Sequence, residues 1–432
     1  MLEFLRLENV GPAPSIEMEL APRLNLLTGD NGLGKSFLLD VAWWALTQKW
    51  PQDLNPSLTS GYRAMPRDVT KPARIGFRIQ SKTKPVEYTS TYSPRDQRWV
   101  GKPGRPANPG LVIYAHADGG FSVWDPARNY WKTKSGEDIQ ETIPAYVFTA
   151  YEVWWGREAI FEGKPVKLCR GLVEDWSIWI REKGELAAMM TGILNKLSAS
   201  GEQISVGPLL RLSVNDARDI PSIKTAYADA VRVVHASAGM RRIMGLAYML
   251  LWSWEEHVRN SELTGDVRAQ QVTMIFDEIE SHLHPRWQRT ILKSVLNIME
   301  SLHLEATVQL IAATHSPLIL ASAEPLFDSE KDKLFTLSLQ GDKVLVQEQP
   351  WSAQGDVANW LVSDTFGLKQ GRSFEAERAI EAAEAWMRGE TTELPAELAT
   401  QDQIHAELLR VLAGHDSFWP RWVVFQERAQ GS

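Results

Sequence analysis

Cysteine is nearly absent from this sequence, since Cys169 is the single cysteine among 432 residues. A lone cysteine excludes an internal disulfide and a cysteine-rich zinc site, and it is typical of a protein of the reducing cytoplasm. A chain of this length can bury a large core. We therefore expect a cytoplasmic protein that is stabilised by packing rather than by covalent cross-links.

Long hydrophobic runs are also missing. The longest, such as "GLAYMLLW" from Gly245 to Trp252, fall far below the ~20 residues that a membrane span needs. No basic segment followed by an apolar stretch opens the sequence, and no heptad pattern is long enough for a coiled-coil arm. We therefore expect no secretion signal, no membrane association and no long arm.

Positive charge is outnumbered by negative charge overall but is concentrated in one segment. The net charge is −8, whereas residues 61–110 contain eleven Lys/Arg and three Asp/Glu, a local excess of +8. This basic region fits a patch that contacts nucleic-acid phosphates or an acidic partner. It also fits the solvated face of a β-rich segment, and the sequence alone leaves both interpretations open.

Hydrophobic periodicity predicts both strands and helices. The alternating runs "LEFLRLENVG" and "SIEMEL" predict strands, and "LNLLTG" is an apolar strand that stops at a glycine. "SFLLDVAWWALTQ", "GLVEDWSIWIREKGELAAMMTGILNKL" and "GMRRIMGLAYMLLWSWEEHV" predict helices. "QVTMIFDE" and "VQLIAATHS" are apolar enough for central strands of a sheet. Short runs punctuated by Thr, Tyr, Gly and Pro between about residues 70 and 131 predict further strands and turns.

A glycine-rich segment indicates phosphate binding. "GDNGLGKS" (Gly29 to Ser36) matches GxxxxGK[ST] and lies between an apolar strand and a helix. Its glycines allow backbone N–H groups to curl around a phosphate, and the helix start adds a positive dipole end. We expect Lys35 to reach the β- and γ-phosphates of ATP and Ser36 to hold Mg²⁺. The predicted nucleotide-binding residues of this segment are Gly29, Asp30, Asn31, Gly32, Leu33, Gly34, Lys35, Ser36 and Phe37. The alternative is a glycine-rich turn that binds nothing.

An acidic strand end supplies the second half of such a site. A P-loop needs a carboxylate on a neighbouring strand to hold Mg²⁺, and "TMIFDE" ends with Asp277 and Glu278. We expect Asp277 to hold the metal ion and Glu278 to accept a proton from the attacking water. His282 and His284, on a loop or helix start before Pro285, leave a transition-metal site as an alternative.

Two further segments place polar residues where a nucleotide can be contacted. His315 in "AATHSPLIL" directly follows an apolar strand, where its ring can hydrogen-bond the γ-phosphate or the attacking water. A structural histidine with satisfied hydrogen bonds is the alternative. In "HASAGMRR", Ser237 and Gly239 stand at the start of the long buried helix, and such a helix start can bind an anion. A second anion site is useful if it serves the nucleotide held by another copy.

These four segments, "GDNGLGKS", "SAGMRR", "MIFDEIESHLHP" and "ATHSP" in this order, resemble the ABC-type ATPases of the SMC, RecF and OLD kind. In that family they are the Walker A, signature, Walker B with D-loop, and switch-histidine motifs. The resemblance implies an α/β P-loop NTPase fold with a mixed or parallel central sheet, an antiparallel β-rich N-terminal part and a helical insert. It also implies ATP and Mg²⁺ as ligands, catalytic roles for Lys35, Glu278 and His315, and a homodimer or higher homo-oligomer.

The resemblance divides the chain into four parts. Residues 1–151 and 229–350 would form the ATPase domain, residues 152–228 the helical insert, and residues 351–432 an acidic helical tail. No "DxD" follows the switch histidine and no His/Asn/His cluster is present. We therefore expect no nuclease in this chain.

The sequence departs from the family pattern at several positions. Leu33 stands where a small residue is usual, and Ala236 and Ala238 replace the residues common in the signature. The Gln loop of the family has three candidate locations, which are Gln80, Gln97 and the segment "AYVFTAYEVWW".

The resemblance also suggests a biological role. Compact relatives without arms, such as the Septu-type ATPases, often pair with a separate effector in bacterial anti-phage defence. The implied function is an ATP-dependent dimeric switch that controls a nuclease or toxin as effector. Two alternatives are a RecF-like DNA-repair ATPase that clamps DNA on the basic region, and a scaffold that binds ATP to assemble with little turnover.

Overall fold

Strands and helices alternate along the chain. The computed structural model describes residues 1–80, 85–101, 107–129, 132–134, 137–139, 145–161, 163–198, 204–225, 228–301, 306–392 and 394–430. The strands are β1 (Leu2–Glu8), β2 (Ser15–Glu19), β3 (Leu24–Gly29), β4 (Arg74–Gln80), β5 (Pro85–Ser93), β6 (Arg98–Val100), β7 (Leu111–Ala115), β8 (Phe121–Trp124), β9 (Lys132–Lys134), β10 (Glu137–Ile139), β11 (Tyr146–Phe148), β12 (Arg157–Phe161), β13 (Lys164–Cys169), β14 (Ser205–Val206), β15 (Ser222–Thr225), β16 (Ala228–Arg232), β17 (Gln271–Phe276), β18 (Thr307–Ala313), β19 (Asp332–Gln340) and β20 (Lys343–Gln349). The helices are α1 (Lys35–Thr47), α2 (Pro51–Leu54), α3 (Ala150–Trp155), α4 (Leu172–Glu182), α5 (Glu185–Leu197), α6 (Ala238–Thr264), α7 (Pro285–Ser301), α8 (Pro317–Ala323), α9 (Val357–Val362), α10 (Phe374–Arg388), α11 (Gln401–Val411) and α12 (Trp419–Gln430). The chain divides into two compact units, Met1–Gly355 and Asp356–Ser432.

The first unit is built on a mixed eight-stranded sheet with the order β11-β8-β7-β17-β18-β3-β19-β20. Its five central strands, from β7 to β19 in that order, pair in parallel, whereas antiparallel pairing joins the outer strands at both ends. β17 and β18 are largely buried, as expected for apolar strands covered on both faces. The expected α/β fold with a mixed central sheet is therefore confirmed.

Parallel pairing brings the ends of four strands together. β3 ends at Gly29, β7 at Ala115, β17 at Phe276 and β18 at Ala313. The loops that follow these four residues share one edge of the sheet, which we call the carboxyl edge. In open α/β sheets ligands bind outside this edge, so the fold itself favours it as the functional site.

A five-stranded antiparallel sheet, in the order β2-β1-β4-β5-β6, confirms the expected β-rich N-terminal part. It shares a core with α1, where Trp43 is fully buried and the rings of Trp44 and Trp50 stack with centroids 5.4 Å apart. Burying a large apolar side chain contributes about 1.5–3 kcal/mol. These contacts hold α1, and with it Lys35 at its start, in a fixed place at the carboxyl edge.

The long helix α6 has 27 residues and a length of about 40 Å. Every residue from Ile243 to Trp254 is buried, which confirms the expected buried helix. Ser237 caps its start and Gly265 ends it in a left-handed conformation. The buried middle gives the exposed start of α6 a defined place on the surface.

Residues 152–228, expected to be a helical insert, contain strands as well as helices. The single long helix expected here is divided into α4 and α5, because Lys183 takes a left-handed φ of 50° and Gly184 caps α5. Two small antiparallel sheets accompany them, one of β12 and β13 and one of β14, β15 and β16. Alternating segments such as "REAIF" predict strands by their period of two, but the adjacent helical pattern is stronger.

The second unit, Asp356–Ser432, is helical and has a small core of its own. Its α10 and α11 pack together. Trp422 is fully buried, and its Nε1 donates to Nδ1 of His405 at 3.0 Å. A contiguous buried cluster of this kind indicates a folded unit. In the described parts of both units, no helix is long and apolar enough to cross a membrane.

Candidate nucleotide site

The loop between β3 and α1 depends on glycine backbone conformations. Gly29, Gly32 and Gly34 take φ values of 130°, 77° and 97°, which side-chain-bearing residues rarely adopt. A Cβ on Gly29 would lie 2.1 Å from the carbonyl oxygen of Leu337, and one on Gly34 would lie 2.7 Å from Cγ of Pro12. A Cβ on Gly32 would meet nothing within 4 Å. Gly29 and Gly34 thus allow close packing, whereas Gly32 faces open space that a ligand can enter.

The other predicted residues of this loop differ in exposure. Asp30 and Asn31 are exposed, whereas Leu33 is 8% exposed and belongs to the core beneath the loop. Phe37 is partly buried and packs against the same core. The bulk of Leu33, unusual for the family, is therefore accommodated in the core that α1 shares with the strands around it.

Lys35, the first residue of α1, folds back over the loop. Its Nζ donates to the carbonyl oxygens of Gly29 at 2.7 Å and Asp30 at 2.8 Å. Burial lowers the pKa of Lys35, while Asp277 and Glu278 act in the opposite direction. An ammonium bonded only to carbonyl oxygens can form a stronger hydrogen bond with an anion, so Lys35 and this loop fit a phosphate.

Ser36 and Asp277 are brought together by the fold. Oγ of Ser36 donates to Oδ1 of Asp277 at 3.0 Å, although the two residues are 241 positions apart. Asp277 is 5% exposed, and this burial raises its pKa to about 6 against the effect of the Ser36 hydrogen bond. A divalent cation would stabilise such a buried carboxylate, and oxygen ligands are those that Mg²⁺ prefers. The two residues therefore fit the metal ion.

Glu278 occupies a tight turn beside Asp277. It has a left-handed φ of 50°, and its carbonyl oxygen accepts from the N–H of Ser281 at 2.8 Å. Non-glycine residues keep this conformation only where the surrounding structure enforces it. Glu278 lies within electrostatic reach of Lys35 and His315. The turn thus holds the predicted general base close to the predicted phosphate ligands.

His315 is held between the P-loop and the acidic turn. Its backbone N–H donates to Oε1 of Glu280 at 2.6 Å, and its ring hydrogen-bonds the backbone of Gly29. Burial, with help from Lys35, lowers the pKa of His315, so the ring is neutral at pH 7. A neutral ring can donate at one nitrogen and accept at the other. Glu280, which fixes this histidine, was not predicted from the sequence.

A polar chain behind the site was also not predicted. The hydroxyl of Tyr114 donates to Oδ1 of Asp40 at 2.9 Å, and the rings of Tyr114 and His116 lie 4.0 Å apart. His116 in turn contacts the hydroxyls of Ser60 at 3.1 Å and Ser122 at 2.8 Å. Burial raises the pKa of Asp40 to about 7 and lowers that of His116 to about 4. An aspartate inside the apolar helix "FLLDVAWW" was the available sequence signal.

Gln80 and Gln97, two of the three candidate locations of the Gln loop, do not lie on β7, which pairs with β17. The residue that follows β7 is His116. Gln80 ends β4 near Gln271, at the opposite end of β17, because the ammonium of Met1 bonds to both residues. Gln97 lies in the turn between β5 and β6. In the described structure His116 therefore occupies this place at the carboxyl edge.

Ser237 and Gly239, predicted to contact the nucleotide of another copy, have different surroundings. Ser237 is exposed, and its Oγ accepts from the N–H of Met240 at 3.4 Å. A Cβ on Gly239 would lie only 2.8 Å from the carbonyl oxygen of His282. Gly239 thus packs against the acidic turn region of its own chain, whereas Ser237 is open to a second molecule.

The arrangement of His282 and His284 does not favour the transition-metal alternative. Both histidines are exposed, and Nδ1 of His284 accepts from the N–H of Arg286 at 3.3 Å. Within the described ranges, no group of three or more His, Cys, Asp or Glu side chains is placed to hold a metal ion.

Part of the charge of the basic region is paired within the antiparallel sheet. Arg78 bonds to Glu3 and Glu19, both at 2.9 Å, and Arg74 bonds to Glu8 at 3.3 Å. Opposite charges on adjacent strands stabilise a sheet modestly. The basic residues Lys82, Lys84, Lys102 and Arg105 lie outside the described residues. For Arg74 and Arg78 the solvated, ion-paired face is therefore the better interpretation.

The mixed sheet, the glycine loop between β3 and α1, and the acidic strand end beside it define an α/β P-loop NTPase fold. Residues 24–321, more than half of the chain, match the family described as "AAA domain, putative AbiEii toxin, Type IV TA system". The chain therefore belongs to this family.

Known proteins are similar to this chain over different lengths. Septu protein PtuA of Bacillus thuringiensis is 22% identical over 387 residues, which cover 86% of this chain and 86% of that protein. Septu protein PtuA of Bacillus mycoides (strain KBAB4) is 30% identical over 132 residues, which cover 31% of this chain and 16% of that protein. A solved SMC head bound to the C-winged helix domain of ScpA is 13% identical, with a TM-score of 0.43, and the match covers 81% of this chain and 97% of that chain.

Proposed function

We propose that this protein is a Mg²⁺-dependent ATPase that acts as a nucleotide-gated switch between two copies of the chain. The contact between Ser36 and Asp277 carries the proposal, because it joins the two parts of a P-loop metal site. Mg²⁺ held by these two residues would offset negative charge on the phosphates.

The other residues of the site would bind the phosphates and assist hydrolysis. Lys35 would exchange its carbonyl partners for the β- and γ-phosphates. Glu278 would accept the proton of the attacking water. His315, tied to the P-loop and to Glu280, would respond to the presence of the γ-phosphate.

A second copy would complete each site. The exposed start of α6 at Ser237 offers backbone N–H groups and a positive dipole end to the γ-phosphate of a partner's nucleotide. Loss of that phosphate on hydrolysis would remove the link between the copies. ATP binding and hydrolysis would thus close and reopen the dimer.

The similarity to Septu protein PtuA over 86% of the chain supports a role in bacterial anti-phage defence. In this role the switch would control a separate effector protein, a nuclease or toxin. Opening and closing of the dimer would change the surface that the effector meets.

Phosphate release by the purified protein tests the proposal. We expect turnover with Mg²⁺, none with EDTA, and a loss of Mg²⁺-dependent turnover in Ser36→Ala, since the hydroxyl would no longer reach the metal ion. Ser322→Ala, which removes a hydroxyl from α8, is the matched control and should keep activity. A wild-type protein that binds ATP and assembles without releasing phosphate would support the scaffold alternative instead.

A further inference from the structure

A pocket of about 440 Å³ lies beside the start of α6. Tyr151, Trp154 and Trp155 of α3 form one side, and Arg241 and Arg242 of α6 form another. Tyr151 is 71% exposed. Aromatic side chains and arginines are the residues enriched at the centres of protein interfaces. The P-loop contributes no residue to this pocket, although Ala238 at the start of α6 and His282 also line it.

Arg242 has unmet hydrogen-bonding capacity in this pocket. Its Nη1 is buried and has no hydrogen-bond partner in the described structure. Asp118 also lines the pocket, but its two carboxylate oxygens accept from Thr59 at 2.8 Å and from the N–H of Gly120 at 2.8 Å. A buried guanidinium N–H without an acceptor is destabilising, so an incoming anion would gain a strong, charge-assisted hydrogen bond.

The surrounding charges favour one carboxylate over a polyanion. Arg218 stacks on Trp155 at 4.6 Å, but its charge is paired with Asp216 at 2.7 Å. The carboxylates of Asp118, Asp277 and Glu278 also act on Arg242. A nucleic acid needs a row of available cations along its phosphates, and further phosphate charge here would meet these carboxylates. A single negative charge beside an apolar group fits better.

We propose that this pocket docks a segment of a partner protein that carries a carboxylate next to an apolar or aromatic side chain. The carboxylate accepts a hydrogen bond from Nη1 of Arg242, and the apolar side chain packs among Tyr151 and Trp154. Recognition of acidic motifs by arginines is a recurring mode of peptide binding. This docking site goes beyond the ATPase function and does not require nucleotide turnover.

Two small probes that differ only in charge test the pocket. N-acetyl-L-phenylalanine carries the carboxylate, and N-acetyl-L-phenylalanine amide lacks it. By ligand-observed NMR at millimolar probe concentrations, we expect the wild-type protein to bind the acid about ten-fold more tightly than the amide, as for one charge-assisted hydrogen bond. Arg242→Met should remove this preference, and Tyr151→Ala should weaken both probes.

Arg259→Met is the matched control, because it makes the same change on an exposed part of α6 outside the pocket and should keep the preference. Thermal unfolding and ATP binding check that each variant is folded. Equal binding of acid and amide, no binding of either probe, or a preference that survives Arg242→Met would overturn the proposal. If a ten-residue oligothymidylate bound tightly, and Arg242→Met and Tyr151→Ala each abolished that binding, the pocket would be a nucleic-acid surface instead of a peptide-docking site.

Discussion

The carboxyl edge and the start of α6 carry the two halves of the proposed composite ATPase site, but they differ in how complete they are. At the carboxyl edge Lys35 and Asp277 are 4% and 5% exposed and are already bonded to neighbours within the chain. Ser237 at the start of α6 is exposed, and its Oγ accepts from the N–H of Met240 in its own helix. A prepared set of buried polar groups can bind a ligand by itself. An exposed helix start gains a function only through a second molecule.

Removing the charge of Lys35 should disrupt the half-site at the carboxyl edge most strongly. Lys35→Ala leaves the phosphates without their main cation, and we expect ATP hydrolysis to fall by ~10³-fold or more. Phosphate release by the purified variant measures this effect. Lys71→Ala, an exposed lysine of the basic region, should keep wild-type activity. Wild-type turnover by Lys35→Ala would show that ATP is hydrolysed elsewhere.

Glu278→Gln should separate binding from chemistry. The amide cannot accept the proton of water, so we expect turnover to fall by about 10²–10³-fold while ATP still binds. The variant should accumulate as a closed dimer or higher oligomer, which light scattering or native mass spectrometry detects. A mass that does not respond to ATP would contradict the idea that the two halves meet in a dimer.

Ser237→Asp tests the half-site at the start of α6. Aspartate caps a helix as well as serine does, so α6 should keep its start while a negative charge now faces the partner's phosphate. We expect turnover to fall by about 10–100-fold, with ATP affinity for the variant's own P-loop unchanged. Gly239→Asp is a poorer choice, because its side chain would meet the carbonyl oxygen of His282 in the same chain.

Ser237→Asn is the control for this prediction, since it caps the helix without adding charge. Mixing Ser237→Asp with Lys35→Ala sharpens the result. One of the two composite sites in a mixed dimer would combine an intact P-loop with an intact helix start, and some activity should return if that site can act alone. Normal hydrolysis by Ser237→Asp alone would remove the start of α6 from the proposed site.

Contiguous motifs could be predicted from the sequence, whereas contacts between distant residues could not. The P-loop and the acidic strand end are contiguous motifs with a fixed order of elements, so the sequence alone predicts Lys35, Ser36 and Asp277 as parts of one site, and the structure places Ser36 beside Asp277. Glu280 contacts His315 and His116 contacts Ser60, each pair being distant in sequence, and no local pattern marks them. The strands of the insert were missed because a strong helical period lies next to them. The sequence left the role of the basic region open, because the acidic partners of Arg74 and Arg78 lie on the distant strands β1 and β2.

Asp40 gives the smallest and most specific test of the half-site at the carboxyl edge, because its contribution to stability depends on pH. Burial raises its pKa from 3.8 to about 7, so between these values the folded protein holds a proton that the unfolded chain has lost. The contribution of Asp40 to the free energy of unfolding is therefore complete below pH 4 and is lost as the pH rises to 7. The full shift corresponds to about 4 kcal/mol, but Asp40 is only partly buried, and we expect about 1–2 kcal/mol.

Asp40→Asn should remove this dependence, because an amide keeps an oxygen for Tyr114 but does not ionise. Relative to wild type, the variant should become more stable as the pH rises from 4 to 7, as urea unfolding at several pH values would measure. Asp416→Asn should show the opposite sign, mainly below pH 4, since the hydrogen bond from Arg372 lowers the pKa of Asp416 below its usual value of 3.8. A stability difference for Asp40→Asn that is constant over this range would mean that Asp40 ionises as it does in the unfolded chain. The carboxyl edge would then be more open to water than its packing around Tyr114 indicates.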